Sequence, residues 1–279
     1  MNARDCLQQA IAQLAKAGCD SPRLDAELLL MHAWTISKTA LIIRMHDQIP
    51  SPIIKRFDEL LKRRQMREPV AYILGEKEFW SHCFHVDSRV LIPRPETEHL
   101  IEEILKLYPD RAAPYRFCDI GTGSGCLACT LAIEYPNAEI VATDISKDSL
   151  DVARMNAAAL EVENRITFRD GDMFSALSKE LGPFEAILSN PPYVSRDEME
   201  SLEPELAFEP RHALTDEHNG HQHLSTLFAG CHNWLCDNGY LIVETGICGL
   251  PDTPSQLNKI REYIDLAGIS RGGVYRYQP

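Results

Sequence analysis

The sequence predicts an α/β fold built on a mostly parallel sheet and preceded by a small helical domain. Three observations carry this. From Tyr115 onward, short apolar runs alternate with helical periodicities. The first seventy or so residues show helical spacing throughout. Between the two halves, Pro93 and Pro95 stand at alternate positions and forbid a helix there.

Each element follows from local chemistry. Leu7, Ala10, Ile11, Leu14 and Ala15 line one helical stripe, which Gly18 stops. Ser21-Pro22 opens a second helix with Leu24, Leu28 and Met31 along it, and Ser51-Pro52 a third with Ile53, Phe57, Leu60 and Leu61. Lys62, Arg63, Arg64 and Arg67 give that helix a basic end, which suits its dipole and reads as solvated, with docking of a partner as the alternative. Val70–Leu74, Glu78–Trp80 and Phe84–Val86 read as extended, and a helix runs from Glu96 to Leu107. The strands are Arg116–Ile120, Glu139–Thr143, Arg165–Arg169, Ala186–Ser189 and Tyr240–Glu244, with helices over Cys126–Glu134, Lys147–Leu160 and Leu224–Cys236. The expected organisation is a helical domain over 1–75, a β-hairpin connector over 76–94 and a larger domain over 95–279.

Composition narrows the function classes. The chain has 279 residues, 28 Lys+Arg against 41 Asp+Glu, and a net charge of −13. That balance argues against a protein whose main task is gripping a polyanion, because phosphate binders neutralise the backbone with Lys and Arg. No apolar stretch reaches membrane-span length and no signal peptide is apparent, so a cytoplasmic protein is expected. The nine cysteines are odd in number and irregular in spacing, which predicts reduced thiols acting as small apolar residues.

Three motifs carry chemistry. Asp119-Ile-Gly121-Thr122-Gly123-Ser124-Gly125 ends the first strand. Its glycines permit a tight turn and close approach of a ligand, and the next helix offers free N–H groups. The dinucleotide fingerprint wants glycine where Cys126 stands, and an acidic residue before G-x-G-x-G resembles the S-adenosylmethionine loop of class I methyltransferases. A structural turn and a nicotinamide nucleotide site are the alternatives. Asp144 ends the second strand, where a carboxylate can accept from two ribose hydroxyls; capping the next helix is its other reading. Asp172 resembles the acidic residue beside an adenine amino group, with Met173 and Phe174 placed to pack on the ring or to serve as core.

Ser189-Asn190-Pro191-Pro192-Tyr193 closes the fourth strand and points to the reaction. The prolines fix the backbone, so that the Asn190 side-chain oxygen and the Pro191 carbonyl can both accept from one planar NH₂, with Tyr193 as a flat face against it. The substrate is then a conjugated amine: an amide, adenine N6 or cytosine N4. Holding both protons favours a pyramidal nitrogen and frees its lone pair to attack a methyl sulfonium, so catalysis is positioning and electrostatics.

These residues resemble the family of protein-(glutamine-N5) methyltransferases that modify peptide chain release factors. Glu78-Phe-Trp80, Leu91-Ile-Pro-Arg-Pro-Glu-Thr-Glu98, the Asp119–Gly125 loop, Asn190–Val194, Glu209-Pro210 and Ala213-Leu214 carry the resemblance across nearly the whole chain. Pro95-Glu96-Thr97 is closer to the release-factor branch than to the branch acting on a ribosomal protein. The resemblance implies a class I, Rossmann-like methyltransferase that converts S-adenosyl-L-methionine to S-adenosyl-L-homocysteine. It implies release factors 1 and 2 as substrates, methylated at the glutamine of the Gly-Gly-Gln loop, with the N-terminal domain helping to dock them. Asp119, Gly121, Thr122, Gly123, Ser124, Gly125, Asp144, Asp172, Met173 and Asn190 fall at the cofactor, and Asn190, Pro191, Pro192 and Tyr193 at the glutamine and the reaction. No nucleic-acid or membrane partner and no metal are expected, and the protein is expected to be monomeric.

Relatives follow the Glu-x-Gly of the fifth strand with Gln three residues on; here Glu244-Thr-Gly246 leads into Ile-Cys-Gly. The segment Ala267–Val274 is shorter than in relatives, which predicts an incomplete sixth strand at the sheet edge. Cys126-x-x-Cys129 and His218, His221 and His223 read as packing and solvated residues, and Glu203, Glu205 and Glu209 as a solvated acidic face, with contact to a basic release-factor loop as the alternative. The competing functions are amino methylation of adenine in nucleic acid and a degenerate, non-catalytic binding paralogue.

Overall fold

A computed structural model of the chain describes residues 1–264 and 268–279. They form two compact units, Met1–Glu76 with Glu203–Phe208, and Lys77–Leu202 with Glu209–Pro279.

The first unit is helical. Helices α1 (Ala3–Lys16), α2 (Pro22–Trp34), α3 (Lys38–Ile43), α4 (Ser51–Gln65) and α5 (Val70–Leu74) enclose a core that includes Leu14, Leu29, Leu30 and Phe57. Asn2 caps α1 by accepting from the Asp5 N–H, and Ser37 caps α3 through the Ala40 N–H. The expected extended stretch at Val70–Leu74 is a helix instead. Pro69 precedes its first turn and Gly75, at φ 78°, closes it in the left-handed conformation. The basic end of α4 is not simply solvated either. Arg64 is buried, and its guanidinium bonds Asp25 (Nε–Oδ2, 2.7 Å) and Glu205 (Nη1–Oε1, 2.8 Å). Arg67 adds a second pair to Glu205 (Nη2–Oε2, 2.5 Å). Glu205 therefore closes a charge network, and only Lys62 of the four basic residues has no carboxylate partner within ion-pair distance among the described residues.

The second unit opens at Lys77, inside a hairpin of β1 (Glu76–Phe79) and β2 (His82–His85) whose Phe79 and Phe84 rings meet edge to face in the core. A 3₁₀ turn over Pro95–Thr97 leads into α6 (Glu98–Leu107). The sheet then follows as β3 (Arg116–Ile120), β4 (Glu139–Asp144), β5 (Ile166–Asp170), β6 (Phe184–Ser189) and β7 (Leu235–Glu244), with α7 (Cys126–Glu134), α8 (Lys147–Ala159) and α9 (Gln222–Gly230) between strands. Strand order is β5-β4-β3-β6-β7-β9-β8. The first five strands in this order are parallel; β3, β4, β6 and the end of β7 are largely buried on both faces, whereas β5 is a mostly exposed edge strand. Chain order reverses between β3 and β6, which opens a crevice beyond their carboxyl ends.

The sheet edge corrects the expectation of an incomplete sixth strand. β8 (Leu257–Ile264) and β9 (Ser270–Tyr277) are each eight residues long. β9 pairs antiparallel with β7 from Tyr240↔Arg276 to Glu244↔Gly272, and β8 covers its far side. β8 is largely exposed and carries Lys259, Arg261 and Glu262, the charges of an edge strand. Ala267, on which the short-end expectation partly rested, lies outside the described residues. All nine cysteines are free and six are buried.

Candidate active site

The crevice holds a cavity of about 550 Å³, within the size range of small-molecule sites. One wall comes from the glycine loop and the ends of β3 and β4: Ile120, Gly121, Gly123, Thr143, Asp144 and Ile145. Gly171, Asp172 and Met173 follow β5, Asn190 and Pro192 follow β6, and residues between Arg211 and Glu217, with His223, complete the lining.

The loop is built for close approach. The N–H groups of Gly121 and Thr122 both donate to the Thr143 carbonyl at 2.9 Å, which lashes the turn to β4. Gly125 stands at φ 80°, and a Cβ there would lie 3.0 Å from the Ala153 Cβ on α8, so glycine is required on both counts. Asp119 is fully buried beneath the loop, where its Oδ2 accepts from Thr122 Oγ1 at 2.7 Å. Burial pushes its carboxyl up to about 7. Asp119, Thr122, Ser124 and Gly125, expected at the cofactor, thus hold the loop from behind; Gly121 and Gly123 form the lining.

Asp144 meets the cavity and is braced at the same time. Its Oδ2 accepts from the Gly123 N–H and its Oδ1 from the Ser146 N–H, both at 2.9 Å. Burial raises its pKa, and the two N–H bonds oppose that rise. Ser146, accepting from the Ser149 N–H, is the cap of α8, and Asp144 braces that cap through the Ser146 N–H rather than capping the helix itself. Asp172 is exposed at the rim. Met173 adopts φ 47°, an uncommon conformation for a side chain of its size.

Asn190 lines the cavity beyond the end of β6. Its Nδ2 donates to Thr97 Oγ1 at 3.0 Å, and Thr97 Oγ1 donates to Glu244 Oε2 at 2.7 Å. The Tyr193 hydroxyl donates to Glu244 Oε1 at 3.1 Å. Glu244 is fully buried, and burial pushes its carboxyl up to about 7 against the bonds from Thr97 and Tyr193. Burial, then the neighbouring Glu244 charge, raises the Tyr193 pKa well above its ordinary value. The Tyr193 ring packs on Gly246, where a Cβ would come within 2.5 Å of it. Of the tetrapeptide, Asn190 and Pro192 line this cavity and Pro191 and Tyr193 do not, so a substrate that meets the Pro191 carbonyl would do so from outside the cavity.

Several site residues escaped the sequence reading. Thr97 and Glu244 lie in stretches already singled out, without a role. Glu209, expected on a solvated face, is buried; its Oε2 accepts from the Ile92 N–H at 3.0 Å and its Oε1 pairs with Arg94 Nη2 at 2.6 Å. Asp216 is held below its ordinary pKa, despite burial, by N–H bonds from Gln222, His218 and Gly220.

The donor set fits an adenosyl ligand. A carboxylate with lone pairs to spare ends β4, two loop glycines leave open space where a Cβ would stand, and apolar Ile145 and Met173 flank the same wall. The comparisons agree with this geometry. A family model described as PrmC N-terminal domain matches residues 5–75, and one described as Methyltransferase small domain matches residues 97–243. Among solved structures, the hMettl16 catalytic domain, determined in complex with a MAT2A 3'UTR hairpin, is similar at TM-score 0.50 and 14% identity, covering 70% of this chain and 74% of that one. That likeness concerns the fold alone. A Neisseria gonorrhoeae protein named release factor glutamine methyltransferase is 40% identical over 225 residues, 81% of either chain. One of the same name from Cereibacter sphaeroides is 38% identical over 276 residues, 98% of this chain and 94% of its own. With both domains matched in order and almost the full length of both chains aligned, this protein belongs to the release factor glutamine methyltransferase family.

Proposed function

We propose that this protein transfers a methyl group from S-adenosylmethionine to the side-chain amide nitrogen of the glutamine in the Gly-Gly-Gln loop of peptide chain release factors 1 and 2. The observation that carries the reading is the Asn190 corner, an amide placed in the cavity wall with its NH₂ already committed to Thr97. The relatives, curated under that activity and aligned over nearly the whole chain, support it.

Asp144 would accept from the ribose hydroxyls, Gly121 and Gly123 would admit the ligand close to the backbone, and Asp172 and Met173 would meet the base. The bound cofactor supplies a methyl group on a positively charged sulfur. The remaining work belongs to the chain. Asn190 Oδ1 accepts one N–H of the substrate amide and the Pro191 carbonyl accepts the other. An amide nitrogen is a weak nucleophile because its lone pair is delocalised, and two acceptors drawing on both protons favour the pyramidal form. As positive charge develops on nitrogen, the same two oxygens stabilise it. The proton then leaves to water, so no strong general base is needed. Tyr193, behind the wall, supports the corner through Glu244.

The helical unit, whose sequence matches the PrmC N-terminal domain, would help to dock the release factor. The same reading has the protein act as a monomer in the cytoplasm, where release factors work. Among the described residues no helix is long and apolar enough to cross a membrane.

The test is incubation with S-adenosylmethionine and a purified release factor, followed by fragmentation mass spectrometry, with duplex DNA and an RNA hairpin as parallel acceptors. One methyl on the loop glutamine is expected. Label on nucleic acid alone would overturn the reading in favour of adenine methylation. Absence of any heat on titrating S-adenosylmethionine would favour a non-catalytic paralogue.

A further inference from the structure

We infer that Thr97 and Glu244 are positioning residues that set which end of the Asn190 carboxamide faces the cavity. The inference deepens the reading above and rests on it for its kinetic consequence.

The argument is one of proton counting. A side-chain amide has a donor end and an acceptor end of nearly equal shape, so packing alone cannot choose between them. Thr97 Oγ1 carries one proton. An ionised Glu244 can only accept, and it lies 2.7 Å from Thr97 Oγ1, so the threonine proton is committed there. Toward Asn190 the hydroxyl can then only accept, and at 3.0 Å it must face the NH₂ end. Oδ1 is left for the cavity, and it has no protein donor among the described residues. Tyr193 commits its proton to the other oxygen of Glu244, so each carboxylate oxygen receives one fixed donor. The relay is dry: Thr97 is 2% exposed and Glu244 1%. Water therefore cannot substitute for a missing partner without entering the core.

The consequence concerns the transition state. A flipped Asn190 would present N–H to the substrate N–H₂, a repulsive pairing that worsens as charge builds on the substrate nitrogen. Neither Thr97 nor Glu244 lines the cavity, so donor binding should depend little on the relay. Loss of the relay should therefore lower kcat and leave donor binding nearly unchanged.

Thr97→Val keeps the shape and removes the proton and the acceptor; Thr97→Ser keeps both. At pH 8, Thr97→Val is expected to lower kcat on a release factor by about 30-fold or more, with donor Kd within about threefold of the parent. Thr97→Ser should recover kcat to within about threefold of the parent. The second readout needs no turnover. In ¹⁵N-labelled protein, the Asn190 side-chain amide, assigned by its disappearance in Asn190→Ala, should show one proton protected from solvent exchange in the parent and in Thr97→Ser, and none in Thr97→Val. An unprotected amide in the parent overturns the inference, whether or not the variants fold. So does a folded Thr97→Val enzyme within threefold of parental kcat. Should the parent methylate no release factor, the proposed function falls, while the exchange measurement still decides the relay.

Discussion

The Gly123 N–H donates to Asp144 Oδ2 at 2.9 Å, so the carboxylate at the cavity also holds the glycine loop in shape. Recognition and pre-organisation are coupled in one side chain. Asp144→Asn keeps the volume but turns one oxygen into a donor facing an N–H. Charge-assisted hydrogen bonds contribute about 1.5–3 kcal/mol each. Affinity for S-adenosylhomocysteine, measured by titration calorimetry, should fall by about 10–100-fold. An affinity within threefold of the parent would remove Asp144 from the ligand.

Asn190→Ala separates catalysis from binding. The residue lies in the cavity wall but is expected to act mainly once charge develops on the substrate nitrogen. Turnover should collapse by at least about a hundredfold while donor affinity stays within about tenfold. Activity surviving within threefold would show that the amide has no such role.

Glu244 makes a prediction about pH and stability. Its folded pKa, about 7, lies above the ordinary 4.5 because of burial. Its charged form is therefore disfavoured in the folded state. The stability it contributes is fully present below 4.5 and is lost as pH rises through about 7. Arg94 and Glu96 act on it from the turn before α6, alongside the hydroxyls of Thr97 and Tyr193, and Cys126 and Tyr263 feel its charge in turn. Glu244→Gln removes the buried charge, so its Tm relative to the parent should rise between pH 5 and pH 8. Parallel Tm curves would show that Glu244 does not titrate there.

In the helical unit, Glu205 is the shared partner of Arg64 and Arg67. Removing one member of a buried ion pair typically costs about 3–5 kcal/mol, because the remaining charge stays buried. Arg64 is 6% exposed and keeps Asp25 and the Glu68 carbonyl but loses one of its two carboxylates, so Glu205→Ala should cost about 3 kcal/mol in urea unfolding of the full chain, within that range. The arginines hold the Glu205 carboxyl below its ordinary pKa, so this contribution is present near neutrality and lost as pH falls. A cost under about 0.5 kcal/mol, the level of a surface pair, would contradict the network.

How much could be read in advance follows from the range of the forces involved. The central parallel strands were legible because burial on both faces writes apolar runs into the sequence, and the glycine loop and the Asn190 corner stood out because backbone chemistry is local. Val70–Leu74 misled because five residues are too few to show a helical period, and valine, tyrosine and isoleucine suit a strand equally well. The strand β8 was missed because an exposed edge strand, studded with charge, lacks an apolar signature, and without it β9 was expected only as an incomplete strand at the edge. The pairings of Arg64 with Glu205 and of Thr97 with Glu244 span 141 and 147 residues. Nothing in either segment alone marks its partner. The inward face of the 211–217 wall was hidden for the same reason, since its charges resemble those of any polar loop.

The most direct measurement is a crystal structure of the protein with S-adenosylhomocysteine and a release-factor peptide carrying the Gly-Gly-Gln sequence. The substrate amide nitrogen should lie about 3 Å from Asn190 Oδ1, with Nδ2 still on Thr97. A glutamine seated elsewhere, or a corner turned away from the cofactor's sulfur, would contradict the account.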